Sequence, residues 1–152
     1  MIKRNAGILF AHRHAGAACE VLLGKRAGWL KYGAHHWLAT GGSCHSNEDV
    51  LQTAFRETKE EWCGGIEVED FFSDALPIGF HRETVRQQVY IINYLLWQFH
   101  LFLVLLEKKF DAHRLRLNSE YTEAKWASVT DLPEPHLRSI RLAISHFRLD
   151  EL

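Results

Sequence analysis

Glu57, Glu60 and Glu61 stand at i, i+3 and i+4 inside a stretch, residues 41–66, that reads GGSCHSNEDVLQTAFRETKEEWCGGI. A helix turns about 100° per residue, so these carboxylates project from one face. Like charges on adjacent turns repel, and a solvated helix has no need of them. A hard divalent cation such as Mg²⁺ converts that repulsion into ligation through carboxylate oxygens. Glu48 and Asp49 add two more acids at the start of the same pattern. Gly41 and Gly42 in front suit a tight backbone turn, and Gly64 and Gly65 suit the exit.

The element that must hold these acids is a helix from about residue 48 or 49 to residue 62. Leu51, Ala54, Phe55 and Thr58 recur at helical spacing and form its buried stripe. Ser46 or Asn47 is the expected cap, and the early acids suit the positive end. Arg56 lies four residues before Glu60, the spacing of an ion pair that orients a ligand.

Gly42, five residues, Glu48, seven residues and then Arg56-Glu57-Thr58-Lys59-Glu60-Glu61 resembles the Nudix box. That pattern is G-x5-E-x7-R-E-U-x-E-E-x-G-U, with U a bulky aliphatic. Gly42, Glu48, Arg56, Glu57, Glu60 and Glu61 match in register, which makes chance spacing a poor account. Thr58 departs from the aliphatic, and Cys63 stands where the closing glycine belongs, with Gly64 one residue later. His35-His36-Trp37 ahead of the box resembles the approach in diadenosine tetraphosphate hydrolases. The likeness is partial, because Ala39-Thr40-Gly41 replaces their Pro-Lys-Gly.

The resemblance implies an α+β fold, a Nudix-type α/β/α sandwich with a mixed central sheet, as a single domain over residues 1–152. It implies metal-dependent hydrolysis of a nucleoside diphosphate linked to another moiety, by water attack at phosphorus. The substrate is then a nucleoside triphosphate or a dinucleoside polyphosphate, and the cofactor Mg²⁺, with Mn²⁺ as an alternative. Glu57, Glu60 and Glu61 become metal ligands, and Glu48 a secondary ligand or an orienter. Arg56 braces the glutamates. Glu120, six residues before Trp126, matches a loop glutamate that serves as general base or extra ligand, with Glu123 as its competitor. Arg26, at the end of a strand, is a candidate for a substrate phosphate, or simply a solvated strand end. Gly41 and Gly42 let the helix approach the phosphates. Two other readings stand beside this one: a nucleotide-sensing module without catalysis, and an RNA-end pyrophosphohydrolase.

The bulk properties fit. The 152 residues suit one domain with one core, and 47% hydrophobic with 24% charged residues is ordinary for a soluble globular chain. A net charge of −1 gives no basis for general polyanion binding, so nucleic acid is not an expected partner. Cys19, Cys44 and Cys63 are odd in number and widely spaced, which suits free thiols in a reducing cytoplasm. The opening residues carry too short an apolar run for a signal peptide. Residues 89–106 are apolar enough to raise a membrane span, but Asn93, Gln98, His100 and many β-branched and aromatic residues favour buried strands. A homodimer is compatible with the sequence.

Strands are expected over residues 6–11 and 19–25 as a hairpin, then 35–40, 66–72, 76–84, 85–93, 100–107 and from Trp126. Residues 27–34 and 108–119 read as loops, and the cations of the second as solvated. Leu137, Ile140, Ile144 and Phe147 mark a packing helix. Trp29, Tyr32, Phe80, Tyr90 and Trp97 are candidates for stacking on a base, each with a core or strand role as the plainer reading.

Overall fold

Strand β1, Lys3–His12, is buried over residues 6–11 and forms the spine of a seven-stranded mixed sheet. Burial on both faces explains its unbroken apolar run. The computed structural model describes residues 2–151. β1 runs parallel to β6, Trp97–Leu105, which pairs antiparallel with β5, Val89–Asn93, at the sheet edge.

The other side of β1 is shared. Its Phe10, Ala11 and His12 pair with β2, Glu20–Arg26, while its Asn5 and Ala6 pair with the short β4, Gly42–Ser43. β2 also pairs with β3, Trp37–Leu38, and along its length with β7, Tyr121–Ser128.

Side chains alternate between faces along a strand, and this places the helices. Phe10 stacks on Trp62 of α1, Val50–Trp62, with ring centroids 6.3 Å apart. Tyr90 of β5 stacks on His146 of α3, Arg138–His146, at 4.5 Å. Tyr90 is level with Leu101, and Leu101 with Gly7. Gly7 and Phe10 are an odd number of residues apart, so α1 and α3 cover opposite faces. The expected α/β/α sandwich is therefore present.

Trp62 is fully buried and also meets Tyr121 edge-on at 5.8 Å. Truncating such a side chain costs about 3–5 kcal/mol. The site helix is thus bolted to both β1 and β7 through one residue.

Several local expectations change. The residue capping α1 is Asp49, not Ser46 or Asn47: Asp49 accepts from the Gln52 amide, and Gln52 returns the bond to the Asp49 amide. Residues 66–72 hold a short helix, α2, Val68–Phe71, rather than a strand. Val68 and Phe72 are both fully buried, four residues apart, so helical spacing wins over the apparent alternation. Residues 76–84 are not a strand either. Gly79 has φ +78°, Ile78 is fully exposed, and Arg82–Gln87 forms a 3-10 turn before β5 begins at Val89. Of residues 35–40 only Trp37 and Leu38 are strand. The last strand starts at Tyr121, so Trp126 sits within it and Glu120 immediately precedes it.

The remaining expectations for β1, β2, their hairpin, the α1 stripe and α3 agree with the structure, whereas β5 starts four residues later than expected, at Val89, and β6 spans Trp97–Leu105 rather than 100–107. The three cysteines are free thiols. Among the described residues no helix is long and apolar enough to cross a membrane.

Candidate active site

The box acids occupy different depths on α1. Glu61 is 1% exposed, whereas the Glu60 side chain is 53% exposed. Glu61 Oε1 accepts from the Gly41 amide at 3.1 Å and lies 3.2 Å from the Tyr121 hydroxyl. Burial pushes the Glu61 carboxyl up to about 9, the charges of Glu57 and Glu120 adding to the effect. Glu57 is raised as well, first by burial, against the pull of Arg56, with Glu60 and Glu120 pushing the same way as burial. Glu120 arrives from the loop before β7, so acids from two distant parts of the chain share one electrostatic neighbourhood.

Arg56 ties the helix to the preceding loop. Its Nε donates to Glu48 at 2.6 Å and its Nη2 to Glu48 at 3.0 Å and to the Ser43 carbonyl at 3.0 Å. Its Nη1 donates to Glu57 at 3.0 Å and, more weakly, to Glu60 at 3.3 Å. The expected Arg56–Glu60 pair is present, but Glu48 is the dominant partner. Glu48 also accepts from the His45 amide and the Thr53 hydroxyl. The Arg56 guanidinium holds the Glu48 carboxyl down at about 2. Glu48 thus makes contacts with Arg56 and the loop before the helix.

Both glycines are required by close approach. A Cβ on Gly42 would lie 2.2 Å from the Glu57 carboxyl carbon, and one on Gly41 would lie 2.9 Å from the Phe99 ring. The Thr58 departure has a partner. Its hydroxyl lies 2.6 Å from that of Thr40 and donates to the Ala54 carbonyl. Thr40 in turn accepts from the Ile8 amide at 3.0 Å. Two buried hydroxyls thus satisfy each other where the pattern calls for an aliphatic. Cys63 ends α1, and Gly64 beyond it takes φ +60°, a conformation suited to glycine. The helix exit is displaced by one residue without moving the acids.

Arg26 pairs with Tyr121 across β2 and β7, and its charge acts on the Tyr121 hydroxyl. Its Nε is buried and has no hydrogen-bond partner among the described residues. Glu123 points elsewhere. It lines an open cavity of about 770 Å³ bounded by Trp37, Phe110 and Trp126, away from the α1 acids. Lys109 and Arg114 pair with Glu20 and Asp74, as a solvated loop would.

Tyr121 is the neighbour of the box acids that sequence reasoning missed. It contacts Glu61 and stands opposite Arg26. Its only signal was its place next to Glu120 at the head of a strand.

As placed, no three His, Cys, Asp or Glu side chains among the described residues stand close enough to hold an ion together. The donor set nevertheless fits a hard cation. It is all carboxylate oxygen, and burial and mutual charge already disfavour leaving Glu57 and Glu61 ionised without a counter-charge. Glu60, more exposed, faces Arg56 Nη1 at 3.3 Å.

Residues 1–147 match the NUDIX domain model, and the chain belongs to that family. It is a Nudix pyrophosphohydrolase, a hydrolase of nucleoside diphosphate-linked compounds in general terms. A Caenorhabditis elegans Ap4A hydrolase binary complex is similar, with TM-score 0.60 and 25% identity over 95% of this chain and 91% of that one. The Burkholderia pseudomallei MutT NUDIX hydrolase has TM-score 0.60 and 21% identity over 95% and 97%. The Methanosarcina mazei MutT protein has TM-score 0.63 and 17% identity over 97% and 93%. The last two speak for the fold alone. No curated protein sequence matches the chain.

Proposed function

We propose that the protein is a Mg²⁺- or Mn²⁺-dependent hydrolase that cleaves a nucleoside triphosphate or a dinucleoside polyphosphate at a phosphoanhydride bond. The observation that carries the reading is that Glu120, from the loop before β7, lies near enough for its charge to act on both Glu57 and Glu61 of α1, so acids from two separate segments face one region. Glu57, Glu60 and Glu61 would hold the cation. When bound, it neutralises phosphate charge and acidifies water. Glu120 accepts the proton of the attacking water, being the acid that reaches the site from a separate element. Arg56 fixes the orientation of Glu57 and Glu60, with Glu48 fixing Arg56. The unpaired Arg26 Nε supports a role for Arg26 toward a substrate phosphate. Gly41 and Gly42 keep the backbone close to Glu61 and Glu57.

The similarity to an Ap4A hydrolase supports the dinucleoside polyphosphate half of the proposal, and the MutT neighbours share its fold. Three free thiols support a cytoplasmic location.

The test is phosphate and pyrophosphate release from a nucleotide panel with Mg²⁺ or Mn²⁺, alongside Glu60→Gln and Glu61→Gln. Turnover by the parent protein and a loss of 100-fold or so in each variant is expected. Pyrophosphate with a monophosphate identifies a triphosphate substrate, and ATP with AMP identifies diadenosine tetraphosphate. No turnover of any nucleotide, with no metal binding, would sink the proposal. Parent-like rates in both glutamine variants would reject the ligand assignment.

A further inference from the structure

The loop over residues 27–36 is a closed excursion from the end of β2. The Arg26 amide donates to the His36 carbonyl at 2.9 Å, and the His35 amide to the Arg26 carbonyl at 3.0 Å. Gly28 lies against the His35 ring, where a Cβ would come within 2.6 Å. This tied base lifts Trp29 and Tyr32 into solvent, 68% and 75% exposed. Single exposed aromatics are ordinary on a protein surface. Trp29 differs because its position is fixed. Its indole N–H donates to the Ser119 carbonyl at 3.2 Å, and the Ala27 amide donates to the Glu120 carbonyl at 2.8 Å. A large, mostly exposed apolar ring is thus pinned to Ser119, the residue before Glu120.

We propose that Trp29 is the platform on which the nucleobase of the substrate stacks, with Tyr32 extending the same aromatic rim. The inference rests on the hydrolase reading for where the phosphates lie. A base with a flat π-face is the part of a nucleotide that gains from such a ring, and stacking is tolerant of base identity. The indole N–H is already engaged by Ser119, so the ring has no donor left to read a base edge. The platform therefore separates nucleotides from bare polyphosphates rather than one base from another.

The test compares Trp29→Ala and Trp29→Phe with the parent protein. KM and kcat are measured for ATP, GTP, CTP and inorganic tripolyphosphate, and calorimetry follows binding of α,β-methylene ATP. Thermal melts confirm folding, which an exposed side chain leaves intact. Trp29→Ala is expected to raise KM for all three nucleotides and weaken the analogue about tenfold or more, with kcat little changed. Tripolyphosphate is expected to be unaffected, and Trp29→Phe to recover most of the loss. Unchanged nucleotide binding in Trp29→Ala would overturn the proposal. So would a parallel loss for tripolyphosphate, or Trp29→Phe failing as badly as Trp29→Ala, since both point to a merely structural indole. A parent protein that turns over no nucleotide, yet binds the analogue through Trp29, removes the hydrolase reading and supports the platform.

Discussion

Glu60 and Glu61 are neighbours in sequence, but α1 sends one into solvent and the other into the protein. The Glu61 carboxyl is raised from 4.5 to about 9 in the folded chain. A folded state that binds a proton more tightly than the unfolded state loses stability as pH rises between those values. Without metal, the melting temperature is expected to fall from about pH 5 to pH 9 through this group, and Glu61→Gln to flatten the fall. Added Mg²⁺ should raise the melting temperature more at pH 9 than at pH 5. Glu48 acts in the opposite sense. Its carboxyl is held at about 2, so its contribution is intact above 4.5 and is lost as pH drops toward 2. Arg56→Gln should remove that acid sensitivity, read by urea unfolding at pH 3 and pH 6. The acidic face of α1 was legible because i, i+3, i+4 spacing depends only on helix geometry. The depth of each acid was not, because Gly41 and Tyr121, which enclose Glu61, come from segments 20 and 60 residues away.

At the scale of elements, α1 illustrates a local signal that competes with its neighbours. Residues 46–49 offer Ser, Asn, Glu and Asp in a row, and several could begin a helix. Asp49 prevails because Gln52 lies at the third helical position and returns its hydrogen bond. Asp49→Ala is expected to cost about 1 kcal/mol, measured by urea denaturation. Residues 66–88 were misread because short apolar runs do not separate strand from helix, and the deciding contacts are tertiary. Val68 and Phe72 pack into the core together, with Phe72 4.5 Å from Phe10. The Thr40–Thr58 pair shows the same limit from the other side. Thr58→Val should cost at most about 1 kcal/mol, since Thr40 still accepts from the Ile8 amide and its proton is then free for the Ile8 carbonyl. Thr40→Val strands the Ile8 amide and should cost about 1–3 kcal/mol in the same assay.

For the molecule as a whole, the tolerance of two glycines separates architecture from chemistry. A Cβ on Gly7 would fall 1.7 Å from the Thr40 carbonyl oxygen, which is backbone and cannot step aside. Gly7→Ala should destabilise by about 3 kcal/mol or more, seen as a large drop in melting temperature. A Cβ on Gly42 meets only the end of the Glu57 side chain. Gly42→Ala should therefore fold and lose hydrolysis by displacing that carboxylate. The sandwich itself was legible through the resemblance that the box residues carry. The order of strands was not, since β1 takes β6, at a pairing separation of 94 residues (Lys3 with Trp97), as its parallel neighbour.

β1 has one further property. Between its partners β2 and β4 lies a gap, and there the Ile8 amide donates to the Thr40 hydroxyl instead of to a strand. The Ile8 amide proton is therefore shielded from solvent only while the loop carrying Thr40, Gly41 and Gly42 is seated. In hydrogen–deuterium exchange, Ile8 becomes a built-in reporter on the box loop, at the centre of the sheet. Exchange at Ile8 should accelerate in Thr40→Val while Leu9 and Leu103 stay slow.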